Sequence, residues 1–203
     1  MIVSLIGMSN CGKSYWSKKL EGEHGFTRLC CDDMIADQLS DVLPDVQIQD
    51  MDAFAAWMGM PHEFGYAERE AAYLAGEQGA LQNIIESIDE SKDVVIDTTG
   101  SVIYLPETLL RKLRSVSTII YLQTTGAQVK EMTEKFFQEP KPLVWGEGFS
   151  LNEDETHEQA LRRCYPELLS WRQERYEQLA DMTIEYKQSH SPEFSIYDVL
   201  QHK

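Results

Sequence analysis

A stretch near the start of the chain has the residue types and the spacing of a phosphate-binding loop. It reads IGMSNCGKSY over residues 6–15 and follows the pattern Gly-x-x-x-x-Gly-Lys-Ser. Gly7 and Gly12 allow backbone angles and a close approach that a side chain would block, so that successive N–H groups can surround a phosphate. Lys13 would reach the β- and γ-phosphates of a nucleotide, and the Ser14 hydroxyl would ligate Mg²⁺. We therefore predict a nucleoside triphosphate site here, with Mg²⁺ as cofactor.

The same loop occurs in GTPases, transport ATPases and small-molecule kinases, and other features of the sequence separate these classes. GTPases recognise guanine with an Asn-Lys-x-Asp loop, and the sequence contains no such string. With 203 residues, the chain is also too short for the additional modules of most motor ATPases. A compact kinase is the class that is left. The residues predicted to bind ATP are Gly7, Asn10, Cys11, Gly12, Lys13, Ser14 and Tyr15.

Two further groups of carboxylates follow predicted strands. Asp97 comes directly after the apolar run 94–96 and has the form of a Walker B carboxylate, which holds Mg²⁺ directly or through water. Asp32 and Asp33 follow the run 26–31, where they could bind a substrate hydroxyl, and Asp32 in preference to Asp33 could take its proton. Each of these aspartates could instead cap a helix or a turn. Because ligands lie at the carboxyl ends of strands in open α/β sheets, we expect these groups near the phosphate loop.

Basic residues in the last third of the chain could neutralise a phosphate during transfer. They are Lys141, Arg162, Arg163 and Arg172. Lys141 lies in the segment 139–157, whose prolines, glycines and lack of periodicity are typical of either a lid or a disordered connector. Trp145 and Phe149 could anchor this segment, which favours a lid, and lids commonly supply a charge while they exclude water. We predict a catalytic role for Lys141, and a solvated surface position is the ordinary alternative for any one of the four.

The elements that must position these residues alternate along the chain. The predicted strands are 2–6, 26–31, 94–96, 116–122 and 182–186, and the predicted helices are 14–20, 34–39, 64–88, 106–114, 128–137, 158–179 and 196–202. This alternation predicts a parallel sheet. The fold class we expect is therefore α/β, a P-loop NTPase fold with a five-stranded parallel sheet, helices on both faces and a lid at 139–157. The segment 32–65 is the candidate substrate-binding region.

Composition limits the possible partners. The net charge is −16, from 34 acidic and 18 basic residues, and such a field repels nucleic-acid backbones. No apolar run approaches the roughly 18 residues that span a bilayer. The four cysteines form no C-x-x-C pair, so neither a zinc site nor a disulfide framework is indicated. We predict one domain over residues 1–203, cytoplasmic and monomeric, with no nucleic-acid or membrane partner.

Several stretches together resemble the shikimate kinase family of small phosphate-loop kinases, nearly end to end. RYEQLADMTIEY (175–186) is similar to the family's closing segment, and Arg172 stands four residues before Tyr176, where the family carries an arginine for the substrate carboxylate. Asp32, three residues before Ile35, matches the aspartate that binds the shikimate hydroxyls. TTGSV (98–102) occupies the family's Gly-Gly-Gly segment, and YLQTT with KPLV resembles its fourth strand and lid. The resemblance implies phosphorylation of a hydroxyl by ATP, with Mg²⁺ and a closing lid. On this basis Asp32, Asp33, Gly100 and Arg172 are the predicted substrate-binding residues.

The departures from that pattern concentrate on the acceptor side. Cys30 stands where the family has a first aspartate, and Gly65 stands where it has a second substrate arginine, for which Arg69 could compensate. The lid arginine is replaced by Lys141, which cannot form a planar two-pronged grip. Asn10 replaces a glycine of the phosphate loop. We therefore predict an acceptor that differs from shikimate.

Alternative functions follow from the same departures. A nucleoside, nucleotide or sugar-acid kinase is one, because Asp97 in VIDTTG leans toward the arrangement of such enzymes. A nucleoside kinase needs an aromatic stacking slot, for which Phe54, Trp57, Phe64 and Tyr66 are candidates. A catalytically weak nucleotide-binding protein is the other alternative, since Cys30 and Gly65 have lost functional side chains.

Overall fold

The sheet organises the whole molecule. The computed structural model describes residues 1–42, 51–138 and 143–201. Within them, five strands form one sheet: β1 (Ile2–Ile6), β2 (Thr27–Cys30), β3 (Val94–Asp97), β4 (Thr118–Leu122) and β5 (Met182–Ile184). Every pairing is parallel, and the spatial order is β2-β3-β1-β4-β5. The strand β1, which leads into the phosphate loop, is therefore central and has β3 and β4 as neighbours.

Helices connect the strands. They are α1 (Lys13–His24), α2 (Cys31–Val42), α3 (Met51–Met58), α4 (Tyr66–Ser87), α5 (Glu107–Val116), α6 (Gly126–Gln138), α7 (His157–Leu179), α8 (Tyr186–Ser189) and α9 (Ile196–Gln201), with a 3₁₀ turn at Val102–Tyr104. Among the residues described above, no helix combines the length and the apolar character needed to cross a bilayer.

Side chains along β4 alternate between two cores, as the pleat of a strand requires. Ile119 and Tyr121 pack into one core together with residues of α2 through α7. Ile120 and Leu122 pack into the other, which α1 and α9 complete. The five-stranded parallel sheet with helices on both faces is thus confirmed.

The helices α3 and α8 were not predicted from the sequence, and α8 begins at Tyr186, the last residue of a predicted strand. The helix boundaries that differ most from the prediction are the end of α1 and the start of α2. The helix α1 continues through Gly22 to His24 and ends at Gly25, whose φ of 71° allows its N–H to bond carbonyls of the last turn. The helix α2 begins at Cys31, directly at the end of β2, rather than at residue 34. Asp32 and Asp33 therefore lie in the first turn of α2, where the helix dipole favours negative charge.

The segment after residue 142, in the second part of the predicted lid, packs against α4. Val144 and Trp145 are buried. One carboxylate oxygen of Glu70 accepts hydrogen bonds from the backbone N–H groups of Trp145 at 2.6 Å and Gly146 at 3.0 Å. Residues 139–142, which include the predicted catalytic Lys141, lie outside the described residues. In this structure the described part of the segment is therefore attached to α4 through residues 144–146.

Candidate functional site

The phosphate loop connects the central strand to α1 and has three residues with positive φ. Gly7 has φ 144°, and a Cβ there would lie 2.7 Å from Cys11 Sγ and 2.8 Å from the Leu122 carbonyl oxygen. Gly12 has φ 102° at the start of α1. Asn10 has φ 61°, in the left-handed region that asparagine tolerates better than most residues with a side chain. This geometry explains how Asn10 can stand where the resembling family has glycine.

Lys13 is folded back onto the loop. Its Nζ donates hydrogen bonds to the carbonyl oxygens of Gly7 and Met8, both at 2.9 Å, and only 8% of the residue is exposed. Ser14 follows in the first turn of α1 and is exposed toward the cavity described next. Of the other predicted ATP-binding residues, Cys11 is buried beneath the loop, whereas Tyr15 is exposed.

A cavity of about 470 Å³ lies at the carboxyl edge of the sheet. It brings together most of the residues that the sequence analysis selected. The site residues predicted from the sequence that line this cavity are Asn10, Lys13, Ser14, Asp32, Asp33, Gly100 and Arg172. Its other lining residues are Ser9, Ile35, Ala36, Phe54, Met58, Tyr73, Thr99, Ser101, Leu143 and Val144. Six further stretches of the chain, at 32–36, 54–58, 73, 99–101, 143–144 and 172, therefore share one cavity with the phosphate loop.

The two adjacent aspartates differ in their surroundings. Asp32 faces the cavity, and loss of hydration among the surrounding protein atoms raises its pKa, while the charge of Lys13 opposes this rise. Asp33 also lines the cavity, but its side chain is mostly exposed and its carboxylate lies 3.8 Å from Arg28 Nη1. Asp32 is therefore the better placed of the two to act on a molecule in the cavity.

Asp97 lies beneath the cavity rather than in its lining. Asp97 is 1% exposed, and its Oδ2 accepts hydrogen bonds from Arg28 Nη2 at 2.7 Å and from Ser17 Oγ at 2.9 Å. Arg28 Nε also donates to Ser17 Oγ at 2.9 Å. The predicted metal carboxylate is thus held in a buried ion pair whose cation, Arg28, the sequence analysis did not select.

The segment after β3 forms one wall of the cavity. The hydroxyl of Tyr176 donates to the carbonyl oxygen of Gly100. On either side of Gly100, the hydroxyls of Thr99 and Ser101 donate to the two carboxylate oxygens of Glu77, a residue of α4 that is 1% exposed. Burial raises the pKa of Glu77 to about 7, against the opposing effect of these hydrogen bonds. The wall is therefore supported by a buried carboxyl group.

Arg172 reaches the cavity from α7 and is 3% exposed. Its Nη2 donates to the Val144 carbonyl oxygen at 2.6 Å, and its Nε donates to the Tyr104 hydroxyl at 3.2 Å. The guanidinium group also lies 5.2 Å from the centroid of the Tyr104 ring. These contacts fix the orientation of the charge at the edge of the cavity.

The other basic residues considered as phosphate ligands have structural contacts elsewhere. Arg162 pairs with Glu158 at 2.9 Å, and Arg163 pairs with Glu155 at 2.7 Å. Arg69, considered as a replacement for the family's second substrate arginine, donates to the carbonyl oxygens of Met58 and Phe64. None of these three arginines lines the cavity.

The candidate stacking residues are also separated by the fold. Phe54 lines the cavity and stacks on Trp57, with ring centroids 5.5 Å apart. Phe64 is fully exposed to solvent, and the Tyr66 hydroxyl bonds to Glu70 and to the Leu143 carbonyl. Of these four aromatic residues, Phe54 alone lines the cavity.

Glu77, Arg28 and Tyr104 are the contributors that sequence reasoning missed. Glu77 is one of many good helix formers in α4, and its spacing alone does not distinguish a buried glutamate from a solvated one. Arg28 lies in β2, which pairs with β3 so that Cys30 lies opposite Asp97. Arg28 is therefore close to Asp97 only because these two strands are neighbours in the sheet. The motif-based signals concerned residues at strand ends, and these three lie elsewhere.

Comparisons with known proteins identify the fold. No protein-family profile matches the chain, and a search of curated proteins finds no match. Among solved structures, shikimate kinase from Acinetobacter baumannii in complex with shikimate aligns with 16% identity and a TM-score of 0.60, covering 99% of this chain and 89% of that one. Shikimate kinase from Bacteroides thetaiotaomicron aligns with 12% identity and a TM-score of 0.60, covering 100% and 95%. The enzyme from Aquifex aeolicus aligns with 16% identity and a TM-score of 0.59, covering 99% and 95%.

The chain therefore has the P-loop NTPase fold of the shikimate kinases over nearly its full length. The predicted fold class and the resemblance seen in the sequence are confirmed at the level of the fold.

Proposed function

We propose that the protein is a kinase that transfers the γ-phosphoryl group of ATP to a hydroxyl of a small metabolite. The observation that carries this proposal is the shared cavity, in which the phosphate loop meets Asp32, Gly100 and Arg172. A volume of about 470 Å³ is in the range of small-molecule sites. Residues 1–203 act as one domain in this proposal, with 32–65 and 139–157 as the segments around the acceptor.

The nucleotide half would be formed by the loop. Backbone N–H groups at the start of α1 would surround the phosphates, with help from the helix dipole. Lys13 would exchange its bonds to Gly7 and Met8 for bonds to the β- and γ-phosphates, which need only a rotation of its flexible side chain. Lys141 is proposed to add charge near the transferred group.

The metal ion fits this half. When bound, Mg²⁺ would neutralise charge on the β- and γ-phosphates. Ser14 offers an exposed hydroxyl as a ligand, and magnesium in such sites keeps several waters, so that few protein ligands are needed. Among the described residues no cluster of three or more His, Cys, Asp or Glu side chains could hold a metal ion. Because Arg28 and Ser17 occupy one oxygen of Asp97, we propose that Asp97 acts on the metal through a water.

The acceptor half would be organised by Asp32. Its carboxylate would accept the proton of the attacking hydroxyl, and Asp33 is the weaker candidate because its carboxylate is mostly exposed and lies 3.8 Å from Arg28 Nη1. Gly100 and Arg172 would contact the rest of the acceptor. The acceptor oxygen would then attack the γ-phosphorus while ADP leaves, so that one P–O bond forms and one breaks.

A nucleoside or nucleotide kinase is the second candidate, because Phe54 offers an aromatic face in the cavity. A sugar-acid kinase and a catalytically weak nucleotide-binding protein stay alternatives as well. A monomeric state and a cytoplasmic location remain predictions.

Release of ADP over a panel of acceptors tests the proposal. The panel comprises shikimate, gluconate, nucleosides and nucleoside monophosphates, with Lys13→Ala as the inactive control. We expect release above this control for at least one compound. If calorimetry shows ATP binding while no compound on the panel gives turnover, the weak nucleotide-binding protein is the better description. Protection against thermal unfolding by nucleosides, without protection by shikimate or gluconate, would favour the second candidate.

A further inference from the structure

Glu77 is a buried acidic group just behind the cavity wall, and the proposed chemistry does not use it. Both of its carboxylate oxygens are engaged. Oε1 accepts from the Thr99 hydroxyl, and Oε2 accepts from the Ser101 hydroxyl at 2.6 Å. Thr99 and Ser101 themselves line the cavity.

These bonds decide what the wall can offer to a ligand. A hydroxyl group can donate one hydrogen bond, and an ionised Glu77 accepts that bond from both Thr99 and Ser101. The Thr99 oxygen also accepts from the Ser101 N–H at 3.1 Å. The Ser101 oxygen lies 3.4 Å from the Tyr73 hydroxyl, which must be the donor of that contact when Ser101 donates to Glu77, and 3.1 Å from the Thr99 oxygen. Thr99 and Ser101 therefore have no proton left to donate and could only accept a hydrogen bond from a ligand. Asp32 and Asp33, when ionised, are acceptors as well.

The charges around the cavity favour the same kind of ligand. Its lining contains the cations Lys13 and Arg172 and the anions Asp32 and Asp33, with Glu77 directly behind. In the proposed function Lys13 binds phosphate. Among the described residues, the carboxylates of Asp32, Asp33, Glu77 and Asp97 then outnumber the nearby cations, which are Arg172 and Arg28. A carboxylate on the acceptor would add to an excess of negative charge.

Resting on the proposed kinase function, we propose that the acceptor is an uncharged or cationic molecule with at least two hydroxyl or amino donors, such as a polyol or an amino polyol. Glu77 is the positioning residue for this choice, because it removes the donors of Thr99 and Ser101 from the cavity.

The titration of Glu77 supports this assignment. Burial raises its pKa to about 7, and the charge of Asp32 adds to the rise, whereas Arg172 opposes it. Cys31 and Tyr73 also face it. Below this pKa Glu77 is protonated and donates a hydrogen bond to the hydroxyl of either Thr99 or Ser101. That hydroxyl can then donate its own proton to a ligand. Affinity for a donor-rich acceptor therefore rises as the pH increases through about 7.

Matched ligands test the proposal without requiring turnover. Gluconate, sorbitol and glucamine differ only in a carboxylate, a hydroxymethyl or an aminomethyl group at one end. Glucuronate, glucose and 6-amino-6-deoxyglucose form the corresponding ring set. Binding is measured by calorimetry in the presence of a non-hydrolysable ATP analogue and Mg²⁺. We expect the hydroxyl or amino member of at least one set to bind about tenfold or more tightly than its carboxylate.

The variant Glu77→Gln identifies the residue responsible. Its amide donates to one hydroxyl, so we expect acceptor affinity to fall about tenfold and its change between pH 6 and pH 8 to disappear. In ADP-release assays the KM for the acceptor should rise while kcat stays within about threefold. Glu68→Gln, an exposed position on the same helix, is the matched control and should change neither quantity.

Three results overturn the proposal: tighter binding of the carboxylates in both sets, no binding of any hydroxyl or amino member, or an unchanged pH dependence in Glu77→Gln. Failure of the kinase function has a different signature, since the hydroxyl and amino members would then bind without any release of ADP.

Discussion

The two halves of the cavity are assembled in different ways. The nucleotide half consists of one continuous loop, in which Gly7, Asn10 and Gly12 have the positive φ values that turn the backbone around a phosphate. The acceptor half is assembled from α2, α3, α4, the segment that follows β3, the segment after residue 142, and α7. Its polar groups depend on partners outside the lining, such as Glu77 and Tyr104. A local motif therefore specifies one half, while the packing of distant elements specifies the other.

The comparison is tested most strongly at Lys13. Lys13→Ala removes the charge proposed to bind the transferred phosphate, and we expect kcat/KM to fall on the order of 10³-fold or more. Steady-state release of ADP is the measurement. Lys18→Ala on the exposed face of the same helix is the control and should retain full activity. Equal activity of the two variants would show that Lys13 has no part in the reaction.

The acceptor half is tested by a matched pair of neighbours. Asp32→Asn should lower kcat by about 10²- to 10³-fold, because the proposed base is lost. Asp33→Asn should lower kcat less than about fivefold, because the Asp33 carboxylate is mostly exposed and lies beside Arg28. The raised pKa of Asp32 means that the wild-type base is lost as the pH falls through a value above the ordinary 3.8. The acid limb of the pH–rate profile should show this. The opposite order of the two variants would assign the base to Asp33.

The ion pair between Asp97 and Arg28 joins the two halves beneath the cavity. Asp97→Asn leaves the largely buried guanidinium group of Arg28 without its counter-charge, and we expect the free energy of unfolding to fall by about 3 kcal/mol. Urea denaturation is the measurement. Glu131→Gln breaks an exposed pair with Lys135 and should cost less than about 0.5 kcal/mol. A loss of activity in Asp97→Asn without a loss of stability would instead indicate a role at the metal alone.

The buried carboxyl of Glu77 makes stability depend on pH. Its pKa is about 7 in the folded protein and 4.5 as an ordinary glutamate, so the folded state holds the proton over a wider range of pH. Stability therefore falls as the pH rises from about 4.5 through 7, by about 3 kcal/mol for this group. The free energy of unfolding is measured for wild type and for Glu77→Gln at pH 5 and at pH 8. Between these pH values the wild type should lose about this amount of stability relative to the variant. A constant difference would contradict the raised pKa.

Asn10 provides the smallest expected effect. Alanine tolerates φ 61° poorly, so Asn10→Ala should lower the free energy of unfolding by about 1 kcal/mol. Asn10→Gly should be within about 0.5 kcal/mol of wild type, because glycine adopts this conformation freely. Thermal unfolding of the three proteins measures both. Equal stability of the alanine and glycine variants would show that the loop relaxes to another conformation.

Much of the fold could be predicted because it follows from local patterns. The buried strand before Gly7 and the long apolar periodicity of α4 and α7 are visible in the sequence and confirmed in the structure. The start of α2 at Cys31 could not be predicted, since strand-forming cysteines continue directly into the helix without a capping signal. The order of the strands also required the structure, because the first strand lies between the third and the fourth, and the alternation of elements does not specify that position.

The candidate site shows the same division. Asp32, Gly100 and Arg172 could be selected from motifs and resemblance, and they line one cavity. Asp97 was selected as well, but only the pairing of β2 with β3 brings it against Arg28. Whether a buried carboxylate meets a metal or a guanidinium group depends on contacts between elements, which residue spacing does not encode.

By itself the sequence determined the candidate phosphate loop and the alternation of strands and helices, because both depend on residues close together in the chain. The tertiary structure decided which side chains line the cavity and which hydrogen bonds they form. Glu77 is the clearest case: it is an unremarkable helix residue in the sequence, and it controls the wall of the cavity because α4 packs behind Thr99 and Ser101. Hydrogen bonds and charge pairs between distant elements carry that information, and they exist only once the chain has folded.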